Sequence, residues 1–176
     1  MRIIAGLGCL LLLAGCGGSA SSNPPEQPEA PQDCRLSEDQ QAMLAAVNAA
    51  RSQPRSCGSR NLAPAPALRW SCRLALAAER HAQDMANHDL LSHTSTDGLQ
   101  VGERVTATGY RWQAVGENIA AGQRSVAEVM QDWLQSAGHC ANIMNPLHAE
   151  LGAAAAVSGT DARIYWAQVF ARPREP

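Results

Sequence analysis

Two histidines and one glutamate stand out: each histidine sits in a turn-rich segment of the kind that displays side chains for function, and the glutamate interrupts a short apolar strand. His93 lies in "LLSHTSTDG", Glu117 in "GENIAAG" and His139 in "SAGHCANIMNP". Gathered by folding, two imidazoles and a carboxylate could hold a divalent ion such as zinc, with Glu117 ligating it or activating a water for hydrolysis. The same trio could instead line a ligand cleft, or form a hydrogen-bonded brace between loops. A carboxylate inside a short, otherwise apolar strand must find partners or stay near water. A histidine suits it.

The other histidines have plainer contexts. His81 falls between Ala78 and Met85 on the apolar face of a predicted helix and reads as a satisfied core histidine. His88, at the end of that helix, suits the negative end of the helix dipole. His148 lies in a predicted loop. Residues 34–176 contain no HExxH, CxxC or GxSxG, so the local signatures of zinc peptidases, thiolate zinc clusters and serine hydrolases are missing.

Helices and a hairpin must position these residues. "SEDQ" from Ser37 is a capping box that starts a helix running to about Ser52, where Pro54 stops it. A loop rich in proline and alanine leads to Trp70. Ser71 then caps a second helix with Leu74, Ala78, His81 and Met85 on one face, ending near Asn87 or His88. The "DG" at Asp97 and Gly98 marks a turn, followed by a short helix to about Thr108 that Gly109 closes. "VGENIA", residues 115–120, reads as a brief strand.

Ser125 and Glu128 form another capping box, opening a helix through Trp133 that leads into "SAGHCANIMNP". That segment reads as a tight turn in which Gly138 frees the backbone to aim His139. Residues 150–171, around "SGTD", read as a β-hairpin whose small residues suit close packing under helices. Helices first and a hairpin last indicate an α+β layered domain.

The ends of the chain suggest export. Arg2, an apolar run from Ile3 to Ala14 and then small residues have the layout of a secretory signal. Leu13, Ala14, Gly15 and Cys16 resemble a lipoprotein lipobox, which makes residues 1–15 a lipoprotein signal peptide and Cys16 the acylated N-terminus and membrane anchor. An ordinary signal with an incidental cysteine is the competing interpretation. Gly17, rather than an aspartate, resembles lipoproteins sorted to the outer membrane. Residues 16–33 then read as the lipidated cysteine and a flexible Pro/Ser/Gly tether, and residues 34–176 as one domain.

The chain carries a net charge of −2, and every basic residue is arginine. With no basic excess, nucleic-acid binding has no electrostatic support. Cys34, Cys57, Cys72 and Cys140 form an even set suited to two disulfides in an oxidising compartment, and spacing alone leaves all three pairings open.

"SHTSTDG", "GENIAAG", "WLQSAGHCANIMNP" and "ELGAA…YWAQVF", in this order, resemble the bacterial branch of the CAP superfamily of cysteine-rich secretory, antigen 5 and pathogenesis-related proteins. The resemblance covers roughly Gln40 to Ala171. It implies an α-β-α sandwich with a small, mainly antiparallel sheet between helical layers and an open cleft lined by two histidines and two glutamates. His93, Glu117 and His139 match three of these. The second glutamate, expected just after the helix tryptophan, is missing from "WLQS", residues 133–136, leaving Asp132 or Glu128 as the carboxylates that could approach from the same helix.

The resemblance also pairs Cys57 with Cys140, and with it Cys34 with Cys72. The function it implies is an envelope-anchored domain binding a small molecule, a lipid or an envelope partner in the cleft. A metal-assisted hydrolase using His93, His139 and Glu117 is one alternative, and a structural or adhesive surface domain is another.

Overall fold

Serine caps begin three of the helices. In the computed structural model, which describes residues 34–174, helix α1 spans Glu38–Arg51, α2 Cys72–His88 and α4 Val126–Gln135, opened by Ser37, Ser71 and Ser125. The signal segment, Cys16 and the rest of the 16–33 tether lie outside the described residues. At α1 the box is reciprocal: Gln40 N donates to Ser37 Oγ at 3.2 Å and Ser37 N donates to Gln40 Oε1 at 3.0 Å. At α4 the Glu128 carboxylate accepts instead from the amide of Arg124, one residue ahead of the cap.

The remaining elements are strands β1 (Arg55–Cys57), β2 (Arg60–Leu62), β3 (Arg69–Trp70), β4 (Trp112–Ala121), β5 (Glu150–Val157) and β6 (Ile164–Pro173), with helices α3 (Val101–Thr106) and α5 (Ala137–Ile143). Strands β1 and β2 form a small hairpin inside the expected proline-alanine loop. The main sheet runs β3-β5-β6-β4, antiparallel except for the parallel β3–β5 pair. The β5–β6 hairpin turns at residues 158–163, where Ser158 N donates to Arg163 O at 2.8 Å.

Alternation along β6 builds the two layers. Trp166 and Phe170 join Leu151 of β5 against Met43, Val47, Val129, Trp133 and Ile143 of α1, α4 and α5. Tyr165, Ala167, Val169 and Ala171 face Leu74, Ala78, Met85 and Val105 of α2 and α3. The result is an α-β-α sandwich, and each fully buried large side chain contributes roughly 1.5–3 kcal/mol by leaving water. Helix α2 lies so close to β5 that a Cβ on Gly152 would come within 2.0 Å of the Ala75 amide nitrogen. The missing side chain of Gly152 permits this approach, with the small Ala154 and Ala156 on the same face of β5.

Two disulfides join Cys34 to Cys72 and Cys57 to Cys140, the pairing implied by the resemblance. The first ties the start of the described chain to α2. The second ties the β1–β2 hairpin to α5.

Candidate functional site

The site is built on β4, an edge strand of the main sheet. Its "GEN" triplet places three residues with three different tasks. A Cβ on Gly116 would sit 3.1 Å from His148 Nε2, so glycine leaves room for that buried ring. Asn118 points to the α5 side, donating to Gln168 Oε1 at 3.0 Å and to the His139 carbonyl at 3.2 Å. Glu117 points to the opposite face, toward α2 and α3, where it is 5% exposed.

Its carboxylate is held from both ends. His93 Nδ1 lies 2.8 Å from Oε1, and the Arg104 guanidinium donates to Oε2 at 2.6 Å. Arg104, on α3, also donates to the carbonyls of His93 at 3.1 Å and Leu99 at 2.6 Å and to Ser95 Oγ at 2.9 Å. One buried cation thus neutralises Glu117 and pins the loop that carries His93. Asp84 fixes the far side of this loop by accepting from Thr96 N at 2.9 Å, and Gly98 (φ 87°) makes its turn.

His139 approaches from the other layer. Residues 137–143 are a helix rather than the expected tight turn, because Ile143, Met144 and the bridged Cys140 are all buried and draw the segment onto the core. Gly138 lies within that helix, and a Cβ there would meet nothing within 4 Å. Helical periodicity, not glycine freedom, therefore aims His139, placing it on one face with Asn142. Asn142 bridges to the edge strand, donating to the Glu117 carbonyl and Asn118 Oδ1, both at 3.0 Å.

His93, Glu117 and His139 line one cleft of about 660 Å³, together with Arg60, Asn142 and Met144. Neither carboxylate of α4 joins them. Glu128 is engaged at the helix start, and Asp132 accepts from Gln123 Nε2 at 2.7 Å. Arg104 was not apparent from sequence, since an arginine on a short helix ordinarily reads as solvated. His81 is a core residue as expected, with Nδ1 3.2 Å from Ser95 Oγ, but its Nε2 has no hydrogen-bond partner and lies 3.9 Å from Glu117 Oε1.

The two cleft imidazoles are driven in opposite directions. The hydrogen bond to Glu117 raises the pKa of His93 above the ordinary histidine value, against its partial burial. Burial lowers that of His139, and the neighbouring His93 adds to this. The two cleft imidazoles therefore differ in proton affinity, with His93 holding its proton to higher pH than His139.

These groups do not make a three-ligand zinc centre. Both Glu117 oxygens are committed, one of them to a guanidinium, and among the described residues no three His, Cys, Asp or Glu side chains are grouped to hold an ion. What remains is two imidazoles, with Glu117 fixing the ring orientation of His93 as a supporting carboxylate would.

The profile of the CAP, or cysteine-rich secretory protein, family matches residues 44–170. The chain belongs to that family. This CAP domain is 32% identical over 97 residues to YkwD of Bacillus subtilis, a match covering 55% of this chain and 36% of that protein. An extracellular SCP-domain protein of Bacillus anthracis superposes with a TM-score of 0.63 at 26% identity, over 80% of this chain and 45% of the other. This chain thus spans less than half of either longer relative. An outer surface protein of Borrelia burgdorferi shares the fold, with a TM-score of 0.67 at 17% identity over 80% of this chain and 97% of that one. Among the described residues of the CAP domain no helix is long and apolar enough to cross a membrane.

Proposed function

We propose that this chain is an exported CAP domain, held to the bacterial envelope, at the outer membrane, by a lipid on Cys16. In the cleft between His93 and His139 it binds a small molecule, a lipid-like compound or an envelope component. The supporting observation is the open cleft of about 660 Å³ with an imidazole from each helical layer on its wall. The brace lies beneath it: Arg104 and His93 Nδ1 occupy the two Glu117 oxygens, which leaves His93 Nε2 and the His139 ring for a ligand. The extracellular and surface relatives support export, and the lipobox-like segment supports the anchor.

The test is native mass spectrometry of the full chain recovered from its own envelope, alongside His93→Ala and His139→Ala. A bound mass carried by the wild type and lost from both folded variants is expected. Wild-type protein carrying no adduct, with no thermal shift on adding total envelope lipid extract, would overturn the proposal.

A second reading, metal-assisted hydrolysis, draws on the His93 Nδ1–Glu117 hydrogen bond, an arrangement metal-ligating histidines often use. Calorimetric titration with zinc separates the two. Saturable binding near or below micromolar, about 8 kcal/mol, that vanishes in both histidine variants would favour the metal.

A further inference from the structure

Arginines gather at the end of the sheet where the described chain begins. Arg73, Arg111 and Arg174 line a pocket of about 360 Å³ with Trp70 and Tyr110, and Arg69 stands beside it, 3.1 Å from Glu150. Glu150 is the one carboxylate in the lining, and it is already engaged by Arg69 and by the Tyr110 hydroxyl at 2.9 Å. Arg111 and Arg174 are exposed, and no carboxylate among the described residues pairs with either. In a chain of net charge −2 this is a local concentration of positive charge.

The same pocket is lined by Cys72, whose disulfide partner is Cys34. The residues ahead of the domain therefore join it at its arginine-rich end. We propose that this end docks on an anionic membrane, with lipid phosphate groups seated between Arg111 and Arg174. The proposal rests on the envelope-anchored reading for its geometry, since a lipid on Cys16 would deliver this face to the bilayer first. Guanidinium groups pair readily with phosphate, and each arginine near an anionic surface strengthens binding by roughly fivefold.

The test uses the chain from residue 16 onward carrying Cys16→Ser, so that no lipid contributes. It is floated with vesicles of equimolar phosphatidylglycerol and phosphatidylcholine, and with vesicles of phosphatidylcholine alone. Binding to the anionic vesicles only, weakened by salt, is expected. It should fall at least about tenfold in Arg111→Glu/Arg174→Glu, with an unchanged melting temperature, and stay unchanged in Arg163→Glu at the opposite end of the β5–β6 hairpin.

Equal binding to neutral vesicles, or wild-type binding by the double variant, would overturn it. So would displacement by millimolar inorganic phosphate, which marks a free-phosphate pocket, or binding that emerges only when Glu26, Glu29 and Asp33 are neutralised, which marks the tether as occupant. The anchor is tested separately by the mass of the mature N-terminus, so either idea can fail without the other.

Discussion

Arg104 and Glu117 meet 2.6 Å apart inside the protein, 6% and 5% exposed, linking α3 to the edge strand beneath the cleft. Removing one partner leaves a buried charge without compensation, which typically costs about 3–5 kcal/mol. Arg104→Met should therefore lower stability in urea unfolding by that order, and Glu117→Gln in the same chain should restore part of it. A loss under about 1 kcal/mol would mean that water reaches Glu117 and the pair is not a brace.

The two cleft histidines should titrate on opposite sides of the ordinary histidine value. Proton NMR should find His93 above it and His139 below it, and Glu117→Gln should lower the value of His93 by removing its hydrogen-bond partner. Because the folded value of His93 is raised, its stabilising contribution is complete below the unfolded value and fades as pH rises through the folded one. The reverse order of titration would reject the assignment.

His148 predicts acid sensitivity. It is 4% exposed, stacked on Phe170 at 5.3 Å, and neither ring nitrogen has a hydrogen-bond partner. Burial, with Arg51 nearby, pushes its pKa down to about 4. The unfolded chain takes up this proton first, so stability present above about 6.5 declines as pH falls toward the folded value, by a few kcal/mol at most. His148→Leu should flatten the slope of stability against pH in this window. An unchanged slope would place the sensitivity elsewhere.

Two glycine-to-alanine changes should differ in sign. Gly138→Ala fills open space within a helix and should stabilise by up to about 1 kcal/mol. Gly152→Ala drives a methyl group into the backbone of α2 and should prevent folding or cost several kcal/mol. Thermal melts of the two proteins check both. Destabilisation by Gly138→Ala would revive the idea that glycine is needed to aim His139.

Local chemistry made much of the architecture legible. Ser37, Ser71 and Ser125 announced their helices because a cap needs only neighbours in sequence, and "SGTD" announced the hairpin for the same reason. Strands β1 and β2 escaped notice because "RSCGSRNL" has little apolar alternation and is held by the distant Cys57–Cys140 bond. Strand β4 proved longer than residues 115–120, its length set by pairing with β6. His93, Glu117 and His139 could be named from their settings, but Arg104 could not, since its importance comes from a carboxylate on another element. The missing α4 carboxylate was visible as an absence. That Glu128 and Asp132 do not replace it depended on their partners.

The Cys34–Cys72 bond also sets how the molecule answers to force. Any pull on the chain ahead of Cys34 passes through sulfur into the first turn of α2, the helix pressed against β5. Residues 35–71 lie in a covalently closed loop outside that load path, so α1 and the β1–β2 hairpin are spared the tension. Load enters the domain at α2 and passes to the sheet against which that helix packs.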